Sequence, residues 1–153
     1  MNPTLWQAQI RDVQFGNQVT CVAPCNLYGC SIGDNCFVGP FVEIQQGVII
    51  GNRCRVQSHS FICEKVVIGN DCFIGHGVMF VNDLFTQGGP SGNSDQWKPT
   101  HIGNNVSIGS NATILPVSIA DHVVIGAGAV VTRDITAPGI YAGNPAKKIR
   151  SLP

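Results

Sequence analysis

One spacing governs this chain. From Phe15 onward an apolar residue returns every six positions: Phe15, Cys21, Leu27, Ile32, Val38, Ile44, Ile50, Val56, Ile62, Ile68, Ile74 and Phe80. After an interruption the series resumes as Ile102, Ile108, Ile114, Ile119, Ile125 and Val131. Two steps shorten to five residues, Leu27 to Ile32 and Ile114 to Ile119. Helices repeat at about 3.6 residues and strands at two, so neither element alone holds this pattern. A short strand and a turn, renewed every six residues, does. Repeats of this kind build solenoids, in which each unit buries its apolar face against its neighbours.

Counting the apolar residue as position one, position five is also restricted. Apart from Ile135 it holds only Val, Cys, Ser or Ala, as in Cys25, Ser31, Cys36, Cys54, Cys72, Ala112 and Ser118. It reads as a small side chain packed into a crowded turn. Position two is Gly in nine of eighteen repeats, which is expected to relieve turn dihedrals that a Cβ would strain. The seven cysteines are an odd number with no Cys-x2-Cys pair, which argues against a secreted disulfide framework and against zinc. Four of them, Cys25, Cys36, Cys54 and Cys72, fall in the small slot. They are expected to be reduced thiols of a cytoplasmic protein.

Composition narrows the partners. Nine basic and nine acidic side chains balance, and only 12% of the 153 residues are charged. No basic face for nucleic acid is expected. No apolar run approaches the roughly 18 residues that span a bilayer, and the first residues lack the pattern of a signal peptide. A single domain over 1–153 is expected, with a long loop over 84–101 and a C-terminal cap over 136–153.

Tandem units such as Ile68-Gly69-Asn70-Asp71-Cys72-Phe73 and Ile108-Gly109-Ser110-Asn111-Ala112-Thr113 resemble the hexapeptide-repeat acyltransferases over roughly residues 13 to 150. The resemblance implies an all-β fold, a left-handed parallel β-helix with three repeats per coil. Eighteen repeats then give about six coils, and three repeats per coil sort the corners onto three edges. The first edge carries Asn or Asp at every position three, residues suited to left-handed turns and local hydrogen bonds. The second carries Ser58, His59, His76, Ser110, Ala127 and Gly128. The third carries Gln46, Glu64 and Asn82, stacked at eighteen-residue intervals. Between Phe80 and Ile102 the chain takes twenty-two residues where the period allows six. A loop this long in a compact fold is usually functional or disordered, and its exit beside Asn82-Asp83 favours a cover for a ligand.

The family resemblance carries a chemistry. Gly143-Asn144-Pro145-Ala146-Lys147 matches the terminal motif of acetyltransferases in this family. It implies acetyl-CoA as co-substrate, held in a groove between subunits of a homotrimer. Ser110, Ala127 and Gly128 offer small groups for the pantetheine arm, although Ile125-Gly126-Ala127-Gly128-Ala129 also reads as tight packing. Lys147, Lys148 and Arg150 would clamp the coenzyme phosphates. Phe80-Val81-Asn82-Asp83 with its long loop is similar to the N-acetyltransferases of nucleotide-linked amino sugars, enzymes of surface polysaccharide synthesis. There, the residue matching Asn82 is associated with the reacting carbonyl. His76, then His59, are the candidate bases, imidazoles being suited to proton transfer near neutral pH. Glu64 and Asp83 are the candidate acceptor contacts, and Glu64 is a further candidate base.

Alternatives stay open. The maltose and galactoside O-acetyltransferases place a His where this chain reads Leu84-Phe85, which weakens but does not remove a hydroxyl acceptor. A noncatalytic coenzyme A-binding scaffold would also lack that His. A γ-type carbonic anhydrase needs two histidines five residues apart, whereas here they stand at 59, 76, 101 and 122. No metal is expected.

Overall fold

A computed structural model describes residues 2–153. Nearly every strand is two or three residues long and consists of position six followed by position one, as in Phe37–Val38, Ile49–Ile50 and Phe73–Ile74. Position one points inward: from Leu27 to Val131 every such side chain is buried. Among the described residues the strands form three sheets of seven, six and eight members, the three walls of a prism, parallel throughout except for the final strand, Lys147–Arg150. Partners lie one coil apart, as in Ile32↔Ile50 and Ile74↔Ile108. This is the left-handed parallel β-helix that the family resemblance implies.

The coil count is about seven rather than six. An extra strand, Ile10–Arg11, pairs with Leu27 and Tyr28 and begins the first coil one repeat earlier. Its step to Phe15 is five residues, and its end is open: Ile10 and Phe15 are exposed. At about 4.8 Å per coil the prism is on the order of 34 Å tall.

Three expectations about the repeat need correction. First, the left-handed corner residue is position four, not the Asn or Asp at position three. Asn35, Phe41, Arg53, His59, Lys65, Asp71, Asn105, Asn111 and His122 all have φ between 54° and 69°. The position-three residues instead form a ladder. The backbone N–H of Asp34 donates to Asn52 Oδ1, that of Asn52 to Asn70 Oδ1 and that of Asn70 to Asn104 Oδ1, each at 2.8 Å. Second, position-two Gly is required by the close approach of the next coil and not by dihedrals. A Cβ on Gly69 would lie 2.7 Å from the Gly103 carbonyl oxygen and 2.8 Å from Asn104 Oδ1. Third, the five-residue repeats lose a corner residue, so their small buried slot is Cys30 and Val117, while Ser31 and Ser118 point outward.

The small slot also has a polar use. Cys36, Cys54 and Cys72 each donate a thiol hydrogen to the position-two carbonyl of the next coil at 3.1 Å, and Ser60 does so with its hydroxyl at 2.7 Å. All seven cysteines are free. Burial pushes the thiols of Cys30 and Cys63 up to about 11 and about 12, so these are inert packing groups. Among the described residues no helix is long and apolar enough to cross a membrane.

Candidate functional site

The third edge is where the regular coil breaks. Asp83 completes a corner, sixteen residues depart, and the chain re-enters at the strand Thr100–Ile102, whose Thr100 pairs with Val66. The loop therefore occupies 84–99, two residues less at its end than expected. Its neck is closed by the Lys98 N–H, which donates to the Asn82 carbonyl at 2.9 Å. Asp83 faces this loop: its two carboxylate oxygens accept from the backbone N–H of Phe85 at 3.0 Å and of Ser91 at 2.6 Å. Asn93 caps a single 3-10 turn, Ser94–Gln96.

Lys65, one corner below Asp83, fastens the far side of the loop. Its Nζ donates to the Ser94 carbonyl at 2.6 Å and to the Trp97 carbonyl at 3.2 Å. The indole Nε1 of Trp97 is buried and has no hydrogen-bond partner among the described residues. Sequence reasoning passed over Lys65 and Trp97. The only signal available was that the Glu64-Lys65 corner lies one period beneath the interruption.

Asn82 and Glu64 stack as expected, and Asn82 Nδ2 donates to the Glu64 carbonyl at 3.3 Å. An amide carries two N–H groups, so one donor and the amide oxygen remain for a substrate. Below Glu64 the wall carries a polar network. Glu43 accepts from Asn26 Nδ2 and Gln45 Nε2 at 3.2 Å each, Gln45 Oε1 accepts the Glu64 N–H at 3.3 Å, and Arg11 lies 4.4 Å over the Tyr28 ring. Burial and then the Glu43 carboxylate push the Tyr28 phenol upward.

The second edge is built differently. Backbone bonds stack Gly77 over Ser58, Asn111 over His76 and Gly128 over Ser110. His59 and His76 are exposed. The His59 ring stacks on Phe41 with centroids 5.0 Å apart. Towards the C-terminal end the edge narrows to Ser110, Ala127 and Gly128. A Cβ on Gly109 would meet the Ala127 backbone nitrogen at 2.5 Å, so small residues are also needed here for packing. A Cβ on Gly126 would likewise meet Ala142 Cβ at 2.9 Å, which supports the packing reading of the 125–129 segment.

The cap closes over this narrow edge. The strand Gly139–Ala142 continues the wall beside Val123–Ile125, and Lys147–Arg150 returns antiparallel to it. The turn between them docks on Val130, which donates to the Gly143 carbonyl at 2.9 Å and accepts from the Ala146 N–H at 2.8 Å. Lys147, Lys148 and Arg150 are exposed. Lys148 lies over Gly139, where a Cβ would meet its Cε at 2.7 Å. The fold thus brings Ser110, Ala127 and Gly128 to the foot of a basic hairpin. It does not bring His76 to Asn82. They occupy different edges of one coil, six residues apart across the strand Met79–Phe80, a separation of up to about 20 Å. The imidazoles of the second edge and Asn82 thus stand on different corners of the prism.

Two family descriptions match the repeats: bacterial transferase hexapeptide (six repeats) over residues 29–64, and hexapeptide repeat of succinyl-transferase over residues 99–133. In its repeat and its fold, the chain is similar to the hexapeptide-repeat transferases. The galactoside O-acetyltransferase of Escherichia coli is 51% identical over 55 residues, which is 35% of this chain and 27% of that protein. The match spans little more than a quarter of the length of these curated relatives. AntD, an N-acyltransferase from Bacillus cereus solved with dTDP and coenzyme A, superposes with a TM-score of 0.73 at 20% identity, over 92% of this chain and 83% of its own. The acetyltransferase domain of PglB from Neisseria gonorrhoeae, solved with acetyl coenzyme A, does so with a TM-score of 0.67 at 22% identity, over 90% and 57%. At these identities the likeness establishes the shared β-helix.

Proposed function

We propose that the protein is an acetyl-CoA-dependent N-acetyltransferase acting on a nucleotide-linked amino sugar in the cytoplasm, as a homotrimer. The observation that carries this reading is the meeting of the narrow second edge with the basic hairpin. A thin pantetheine arm fits along Ser110, Ala127 and Gly128, where side chains are minimal. Lys147, Lys148 and Arg150 then face the phosphates. Across the subunit groove, Asn82 of a neighbouring chain stands at the thioester carbonyl, with Glu64 and the loop shaping the acceptor side.

In this scheme the acceptor amine attacks the thioester carbon. The free N–H of Asn82 donates to the carbonyl oxygen as it becomes an oxyanion, a contribution of about 10² to 10³ in rate. The amine proton passes to the departing thiolate, or to His76 or His59 from the adjoining chain. Asp83 supports the acceptor indirectly, since both its oxygens hold the loop. The AntD structure with dTDP and coenzyme A supports the nucleotide-linked class of acceptor.

A second reading, O-acetylation of a glycan or small hydroxyl acceptor, is favoured by the exposed imidazoles of the second edge, because a hydroxyl needs a base. A screen of amino-sugar nucleotides with acetyl-CoA, read as thiol release, tests the first reading. Release with an amino-sugar nucleotide is expected. Release only with hydroxyl acceptors would replace it with the second. Coenzyme A binding without release to any acceptor would leave a scaffold.

A further inference from the structure

Phe85 breaks the rule that explains every other bulky left-handed residue of the prism. Phe41 and His59 have positive φ because they occupy the fourth position of a repeat, where the corner imposes it. Phe85 lies outside the repeats, two residues into the loop, and still has φ of 50°. For a bulky side chain this conformation costs free energy, and such residues persist where the surroundings hold them for a purpose. The holding group is Asp83, whose Oδ1 accepts the Phe85 N–H at 3.0 Å while Oδ2 accepts the Ser91 N–H at 2.6 Å. The strained backbone does not bury the ring: Phe85 is 56% exposed, and Leu84 beside it is 44% exposed. The displayed ring lies three residues from Asn82.

We infer that Phe85 is a specificity-determining residue, a stacking platform for the base of the nucleotide-linked acceptor. This rests on the proposed acceptor class. A flat, apolar ring in water, held at the mouth of the acceptor side, matches the π-face that every nucleobase offers, and such stacking is tolerant of base identity. Asp83 then acts as the residue that fixes the platform's angle.

Calorimetric titration of the full chain with UDP, dTDP and an amino-sugar 1-phosphate tests this, for the natural protein and for Phe85→Ala and Phe85→Tyr. Phe85→Ala is expected to weaken both nucleoside diphosphates about tenfold or more, while Phe85→Tyr stays close to natural. Affinities for the base-free sugar phosphate and for coenzyme A are expected to be unchanged, as is the oligomer mass. Nucleoside diphosphate binding that survives Phe85→Ala would overturn the platform and leave the proposed acceptor class standing. Loss of the oligomer would also overturn it, by placing the ring in a subunit interface. A natural protein that binds coenzyme A but neither nucleoside diphosphate would overturn the acceptor class together with the platform.

Discussion

Replacing Gly69 by Ala is the most direct perturbation of the first-edge ladder. The new methyl group would lie 2.7 Å from the Gly103 carbonyl oxygen and 2.8 Å from both its carbon and Asn104 Oδ1. Ordinary contact requires about 3.4 Å or more, so this corner of the two coils must part by roughly 0.6 Å. The neighbours are backbone and a ladder amide, which cannot swing aside. Parting strains the Gly69 N–H bond to the Ile102 carbonyl, 2.8 Å, and the Asn70 N–H bond to Asn104 Oδ1, also 2.8 Å. Overpacking costs about 1–3 kcal/mol, and weakening a hydrogen bond about 1 kcal/mol more. A loss of about 2–4 kcal/mol is expected, which for a chain of this size lowers the thermal midpoint by about 5–15 °C. Gly89→Ala is the matched control, since no atom lies within 4 Å of its added Cβ and its φ is not positive. It should stay within about 0.5 kcal/mol of the natural protein. Calorimetric melting of the two variants decides the matter. A Gly69→Ala midpoint indistinguishable from that of Gly89→Ala would refute the argument that inter-coil approach, rather than backbone conformation, selects Gly at position two.

Four further outcomes are expected. Lys65→Met removes both bonds to Ser94 and Trp97, so limited proteolysis within residues 84–99 should quicken severalfold while the prism melts nearly unchanged; equal cleavage rates would refute the clasp. Asn82→Ala should lower kcat by about 10² with coenzyme A affinity little changed, and His76→Asn should abolish the acidic limb of the pH–rate profile if His76 is the base. Both effects are read by steady-state kinetics across pH, and a normal rate in Asn82→Ala would move the site elsewhere. Finally, the Asn104 backbone N–H, then its side chain, hold the Asp121 carboxyl below the usual carboxylate range. A carboxylate depressed in the folded state contributes stability above its unfolded pKa and loses it as pH falls through the folded one. Asp121→Asn should therefore lessen the fall in melting midpoint below about pH 4, and an unchanged acid limb would contradict this.

The core of the prism was legible because one rule repeats. Each position-one residue from Leu27 onward needed only its neighbours one coil away, and the six-residue period reported them. The rule blurred where the period shortened. Ile10 was missed because its step to Phe15 is five residues, and Ser31 and Ser118 were placed in the core because the lost residue lies in the corner before them. The role of Gly69 was misread because the obstacle, Asn104, comes from the next coil and not from the glycine's own turn. The site was legible as far as its edges. The stacking of Asn82 on Glu64 and of Gly128 on Ser110 followed from the coil arithmetic, whereas the roles proposed for them and for the basic tail came from the family resemblance. The clasp from Lys65 to Ser94 and Trp97 did not, because it spans 29 and 32 residues across an insertion without a period. The placement of His76 and Asn82 on different edges was visible in the same arithmetic, which is why the proposed site draws on two chains.

We propose that acetyl passes from acetyl-CoA to an amine at the groove between the second edge of one chain and the third edge of its neighbour. The most direct test is the structure of the product formed from acetyl-CoA and an amino-sugar nucleotide by the natural protein and by Asn82→Ala. The account predicts a product heavier by one acetyl group, bonded as an amide and therefore resistant to hydroxylamine, formed about 10² times more slowly by the variant. A hydroxylamine-labile ester, or an amide formed equally fast without Asn82, would contradict it.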